Sequence, residues 1–476
     1  MKKRIRFSGF VAIAVIGFLL AACGGGDGGG FMPPNNGGGG SGGGGYTPPL
    51  AAGLYAKVWP ITVDDTPIAG VAENDVAAAI TYVKANPGAY TLLINQDVNE
   101  MPQILDVSNC QLTIIGIGGK REIKLSFPGA LFTVGKSSTD TTIGLMLGNN
   151  ITLVGRTNTD PVVCIQNGAK LVMETGSKIT GNNNVSNSGY CSGGVEVGSG
   201  TFTMKGGEIS NNTGVFGGVA SGGTFIMEGG EICNNAASGG GGGVYVYSGT
   251  FAMEGGEICN NAVSSSGGGV EVSSGTFIME GGKICNNAAG SVGGVLLGGG
   301  GTFTMKNGEI SGNTGNGVFL SSGTFIMKNG EISGNTATKE SGGGVSVNRS
   351  CIFIMEGGKI SNNTTSNLGG GVYTYGGVFT MKNGEISGNT ATNVGGGVYV
   401  ADHWDNTPGK FQMVSGIIYG NTESDPTLRN NTIRGAALYK DTYGVAQYGT
   451  FSGTFSSLGN LTTTDNTIKY LNGVAQ

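Results

Sequence analysis

The sequence predicts an all-β solenoid, a stack of coils of about 22–28 residues with three short strands in each. Three observations predict it. A phenylalanine recurs at Phe202, Phe225, Phe251, Phe277, Phe303, Phe325, Phe353 and Phe379, so that successive spacings run from 22 to 28 residues. Within a unit the apolar residues alternate, Phe251 with Met253 and Val270 with Val272, which is the period of a strand. Glycine pairs such as Gly255-Gly256, or Asn307-Gly308, separate the segments and supply the positive φ of a tight turn. A helical back to the coil is excluded, because each interior glycine costs a helix about 1 kcal/mol relative to alanine.

Taken in order, one unit reads Gly249-Thr250-Phe251-Ala252-Met253, a first strand; Glu257-Ile258-Cys259, a second; Asn260-Asn261, a corner; then a loose Ser/Ala/Gly stretch into Gly269-Val270-Glu271-Val272, the third. From Phe to Ile the distance is seven in every copy, whereas from the second asparagine to the first valine it ranges from five (Asn313 to Val318) to ten (Asn335 to Val345). Length variation is therefore confined to one edge, the place where solenoids carry binding loops. Stacking the coils places Phe, Met, Ile and Val in inward columns. It also places Asn212, Asn235, Asn261, Asn287, Asn313, Asn335, Asn363 and Asn389 in one ladder that bonds the neighbouring turn and has no need of a catalytic role. No coil stands alone, since backbone ordering exceeds what five buried side chains return; stability must come from stacking.

The chain opens with Lys2, Lys3, Arg4 and Arg6 ahead of the apolar run from Phe10 to Leu20, which reads as a secretion signal over residues 1–22. Leu20-Ala21-Ala22-Cys23 resembles the bacterial lipobox, and the resemblance implies lipidation of Cys23 and anchoring in the cell envelope. Gly24 stands where aspartate would signal inner-membrane retention, which implies the outer membrane or the cell surface. Residues 23–49, glycine-rich with Pro, Ser and Asn, read as a flexible tether. Residues 50–165 read as an N-terminal cap with irregular first coils, opened by a short helix with Val76, Ile80 and Val83 on one face. The regular array follows over 166–424, and 425–476 reads as a C-terminal cap.

The motifs Gly-Thr-Phe-x-Met, Gly-Gly-Glu-Ile, Asn-Asn and Gly-Gly-Gly-Val-Tyr-Val, the last at Gly395 to Val400, resemble those of glycine-rich surface proteins of the pectin-lyase-like superfamily, including adhesin-like and polymorphic outer-membrane-protein repeats. That resemblance implies a right-handed parallel β-helix. It leaves two classes of function, because one fold hosts many. Polysaccharide lyases and glycoside hydrolases of this superfamily need clustered aspartates with a base, yet from Val162 to Val400 there is no aspartate, no histidine and one arginine, Arg349. The expectation is therefore a non-enzymatic, surface-exposed lipoprotein that meets host matrix or glycan, with no cofactor and no metal. With charged residues at 12% and a net charge of −5, no basic face for nucleic acid is expected.

The remaining candidates are few. Asp402-His403-Trp404-Asp405 lies in an insertion and holds the one histidine; it reads either as a long turn or as a metal or sugar contact at a loop tip, with Trp404 as platform. Tyr245 and Tyr399 alternate with inward valines and are expected to face outward, as stacking surfaces for carbohydrate. Glu228, Glu254 and Glu280 stack in a column that reads as a solvated ladder, or as a divalent-cation site if their oxygens converge. Cys233, Cys259 and Cys285 share a position that other coils fill with serine, which leaves a small-residue role and a bridge both open.

Overall fold

A computed structural model describes residues 50–184, 192–405, 407–420, 424–427, 429–432, 438–440, 468–471 and 474–475. Cys23 and the glycine-rich stretch before residue 50 lie outside the described residues, as does most of the C-terminal cap. The chain is an all-β, right-handed parallel solenoid of about 12 turns, with one short helix among the described residues.

Each turn contributes to three long parallel sheets. In the central coil, Thr250–Met253 lies in sheet A, Glu257–Cys259 in sheet B and Val270–Val272 in sheet C. Pairing between coils is in register, Phe251 with Phe277, Ile258 with Ile284 and Val270 with Val295, so like side chains stack. A fourth, two-residue ladder, absent from the sequence reading, follows the asparagine corner, as at Ala262–Val263. Its strands are mostly two residues long and rich in Thr, Ala and Asn, too short to show a period of two.

The core is the set of inward columns. The Phe202 to Phe379 rings are fully buried and stacked with centroids 4.6–4.9 Å apart and planes within 4–8° of each other. Near-parallel rings mean that sheet A hardly twists from coil to coil, unlike an ordinary open sheet. The A-to-B corner is fixed by contact: Gly256 has φ +81°, and a Cβ there would lie 2.6 Å from Met227 Cε and 2.7 Å from the Gly230 carbonyl oxygen. At the B-side corner the first residue of each Asn-Asn or Gly-Asn pair is left-handed, with φ of 55° at Asn260 and 64° at Gly312, which explains why asparagine and glycine exchange there.

The second asparagine is fully buried. Asn261 donates its backbone N–H to Asn287 Oδ1 at 3.0 Å and its Nδ2 to the Ile232 carbonyl at 2.8 Å and to Asn287 Oδ1 at 3.1 Å. The same bonds recur from Asn212 to Asn389, and Asn182 and Asn430 extend the ladder by a rung at each end.

At the N-terminal end helix α1, Val76–Ala85, is capped by Asp75, whose side chain accepts from Ala78 N at 2.8 Å, and buries Val76, Ala79, Ile80 and Val83 against the first coil. Strand Gly53–Tyr55 closes the edge of sheet A by antiparallel pairing with Ala89–Ile94. At the other end Ile468–Leu471 pairs antiparallel with Gly416–Ile418 and in turn with Val474–Ala475, so that the parallel run of sheet B also stops at a reversed strand.

Candidate functional site

Sheet C and the loops that enter it carry most of the irregular chemistry. In strands Val345–Val347, Val372–Tyr375 and Val398–Ala401, Val345, Val372 and Val398 align, so the residues four places on, Arg349, Gly376 and Asp402, share a column at the strand ends. The insertion after Ala401 folds back over that column.

Asp405 organises it. Its Oδ1 accepts from Thr407 N at 3.0 Å and faces His403 Nδ1 at 2.8 Å, while its Oδ2 meets Arg349 Nη1 at 2.9 Å. The Thr407 hydrogen bonds, with His403 and the Arg349 charge behind them, hold the Asp405 carboxyl well below the usual range, so it stays ionised and is no general acid. Asp402 is occupied in the turn, accepting from Gly409 N at 3.0 Å. The His403 ring lies 4.7 Å from that of Tyr375 and 5.0 Å from that of Trp404. Trp404 donates its backbone N–H to Tyr375 Oη at 3.1 Å and leaves its side chain outside, at 79% exposure. The loop is thus an ordered turn that presents an indole with a guanidinium nearby. Arg349 and Tyr375 join His403 and Trp404 only through the stacking of three coils; counting four residues on from each strand's first valine would have placed Arg349 beside the insertion.

Tyr245 and Tyr399 are not open platforms, which corrects the expectation for both. They point away from the core, but Tyr245 is 9% exposed and stacks on Phe216 with centroids 3.7 Å apart, and Tyr399 is 3% exposed and stacks on Tyr373 at 5.7 Å. Glycine loops lie across them: a Cβ at Gly241 would come within 2.7 Å of Tyr245 Cβ, and one at Gly395 within 2.8 Å of Tyr399 Cβ.

Two glutamates of sheet C that sequence reasoning did not single out are also partly covered, Glu271 by the loops of Gly240 and Gly267. Burial pushes the carboxyls of Glu196 and Glu271 up to about 7. Glu196 accepts from Tyr247 Oη at 3.1 Å, and Glu271 takes a backbone hydrogen bond from Gly241. They are no catalytic pair. Ala220 and Tyr245 intervene on the ladder, which sets their strands about 14 Å apart, beyond the roughly 5–9.5 Å that glycoside hydrolysis requires.

The stacked glutamates Glu228, Glu254 and Glu280 of the A-to-B corner are exposed; Glu280 pairs with Lys306 at 2.5 Å, and three coils on from Glu280, Glu356 pairs with Lys382 at 2.9 Å. Among the described residues no three His, Cys, Asp or Glu side chains are grouped to hold a metal ion. Cys233, Cys259 and Cys285 stand in register as free thiols, and burial pushes Cys259 up to about 12, far from a reactive thiolate.

Residues 293–475 match the family model described as a right-handed beta helix region. No curated protein and no solved structure gives a match.

Proposed function

We propose that this chain is a non-enzymatic, surface-exposed lipoprotein of adhesin-like character, anchored through Cys23 in the cell envelope, at the outer membrane or cell surface, and binding glycan or host matrix at the Trp404 corner. The observation that carries the reading is the exposed indole of Trp404, pinned by its own backbone to Tyr375 and flanked by His403 and the Arg349–Asp405 ion pair. A fixed aromatic face with polar groups at its rim is what a sugar ring's C–H face and hydroxyls require. The right-handed β-helix is shared with polysaccharide lyases and hydrolases, so the fold alone favours neither class. The state of Asp405 weighs against acid catalysis at this corner, since its proton is already lost and its oxygens are engaged.

The full chain is screened against glycans and matrix proteins. The expected outcome is binding without turnover that Trp404→Ala weakens about tenfold or more. Cleavage of a uronate polymer that disappears in His403→Ala would replace the proposal with the enzyme reading. Anchoring is tested separately: Cys23→Ser should move the protein out of the membrane fraction, and retention there would show a different anchor.

A further inference from the structure

The outer face of sheet A has no part in the Trp404 corner. On eight successive strands, from Thr201–Met204 to Val378–Met381, neither outward position carries a charge. The first outward column is threonine from Thr201 to Thr324 and continues as Ile352 and Val378; the second is isoleucine, threonine or alanine throughout. The run stops at Lys170 on one side and at Lys410 on the other. Sheet B differs: its outward column reads Glu208, Glu231, Glu257, Lys283 and Glu309 over the same coils. Since nothing in sheet B's core is less apolar, the absence of charge belongs to the outer face of sheet A itself.

We propose that this face is where a second copy of the chain packs, with a two-fold axis parallel to the stack. Flatness is the first argument: the near-parallel phenylalanine ladder behind the face shows that the strands keep one direction, so two such faces meet along their whole length. Area is the second. Eight strands about 4.8 Å apart and four residues long cover roughly 500 Å² per copy, or about 1,000 Å² in the pair, the lower end of a specific interface. Charge is the third, because a neutral face lets two chains of net charge −5 approach without like-charge contact there. The axis follows from the columns. A two-fold along the stack lays the first column of one copy on the second column of the other, so Thr276 meets Ile278 of the second copy and Lys170 meets Val172 rather than another lysine. It also puts the helix-capped ends of both stacks on one side, which suits two chains anchored in one membrane; that last point rests on the anchoring proposed above, and the association does not.

The test is sedimentation equilibrium of the purified full chain in detergent from about 1 to 100 μM, with a reversible dimer of micromolar Kd expected for an interface of this size. Cys23→Ser should dimerise equally, which separates this association from the lipid. Ile278→Lys with Ile326→Lys should weaken it at least about a hundredfold while leaving the melting midpoint unchanged, because the lysines sit in water in the monomer and are trapped unpaired in the dimer. Glu257→Lys on sheet B should have no effect. On oxidation, chains carrying Thr276→Cys should bridge to chains carrying Ile278→Cys. A monomer at every concentration, a dimer indifferent to the two lysines, or a monomer that holds a neutral polysaccharide on this face would each overturn the proposal. A dimer broken by the lysines but lacking the Thr276–Ile278 bridge would overturn the parallel axis.

Discussion

Two connections in each coil, sheet A to sheet B and sheet B to sheet C, are made from similar small residues and behave in opposite ways. The first keeps one length from the coil of Phe202 and Ile209 to that of Phe411 and Ile418, one residue shorter than in the coil before, where Leu171 and Ile179 hold the same places. Gly256 threads between Met227 Cε and the carbonyl of Gly230 with no room for a Cβ, and both ends of the turn are held by inward side chains, Met253 and Ile258. The second leaves the core at the buried asparagine, passes through the short fourth ladder, as at Ala262–Val263, and returns at the glycines before the first valine of sheet C, so the residues between ladder and glycines, such as Ser264 and Ser265, hang outside the stack. The lesson is that a solenoid fixes its length where two inward residues flank a turn and releases it where the chain runs over its own surface.

The largest expected effect breaks the fixed side. Inserting Gly-Ser between Gly255 and Gly256 should push Ile258 and Asn261 out of their columns and abolish cooperative folding of the neighbouring coils, seen as loss of the melting transition in circular dichroism. A normal transition would mean that the corner is not what holds the length.

Next comes the ladder that borders both connections. Asn261→Ala leaves the backbone N–H and Nδ2 of Asn235 and the carbonyl of Ile232 without their partner in a buried site. It should cost about 3 kcal/mol, read from denaturant midpoints.

The variable side contributes a pH dependence. Glu271 is covered by its own loops, against Gly240, Gly241 and Gly267, and its carboxyl is raised by burial to about 7 from an ordinary 4.5. The unfolded chain gives up that proton first as pH rises. Stability tied to the group is therefore complete below pH 4.5 and lost on rising through 7. Glu271→Gln should flatten this part of the profile and stabilise the chain at pH 8 by about 2 kcal/mol relative to its effect at pH 4. An unchanged profile would show that the loops do not cover the carboxyl in solution.

The smallest effect is the counterpart of the first. Gly-Ser inserted between the exposed Thr338 and Lys339, in the variable loop from Asn335 to Val345, should shift stability by less than about 1 kcal/mol, because loop closure entropy grows slowly with length. A loss comparable to that of the corner insertion would erase the distinction between the two connections.

The sequence by itself determined the columns. Phe251, Met253, Ile258, Asn261, Val270 and Val272 are local and repeated, and repetition turns a weak two-residue alternation into a register that each further copy reinforces; the capping helix showed for the same reason, its cap and its apolar face being contiguous. What the tertiary structure decided is everything that depends on how loops from different coils lie over one another. Tyr245 and Tyr399 alternate with inward valines and so face outward, but only the folded loops show that they are covered. Glu271 looks in sequence like any solvated strand residue and is raised to about 7 by glycines that carry no side-chain signal of their own. Arg349 reaches Asp405 across 56 positions of sequence because stacking brings strand ends together at about 4.8 Å per coil, a distance no period in the sequence states for loops of unequal length.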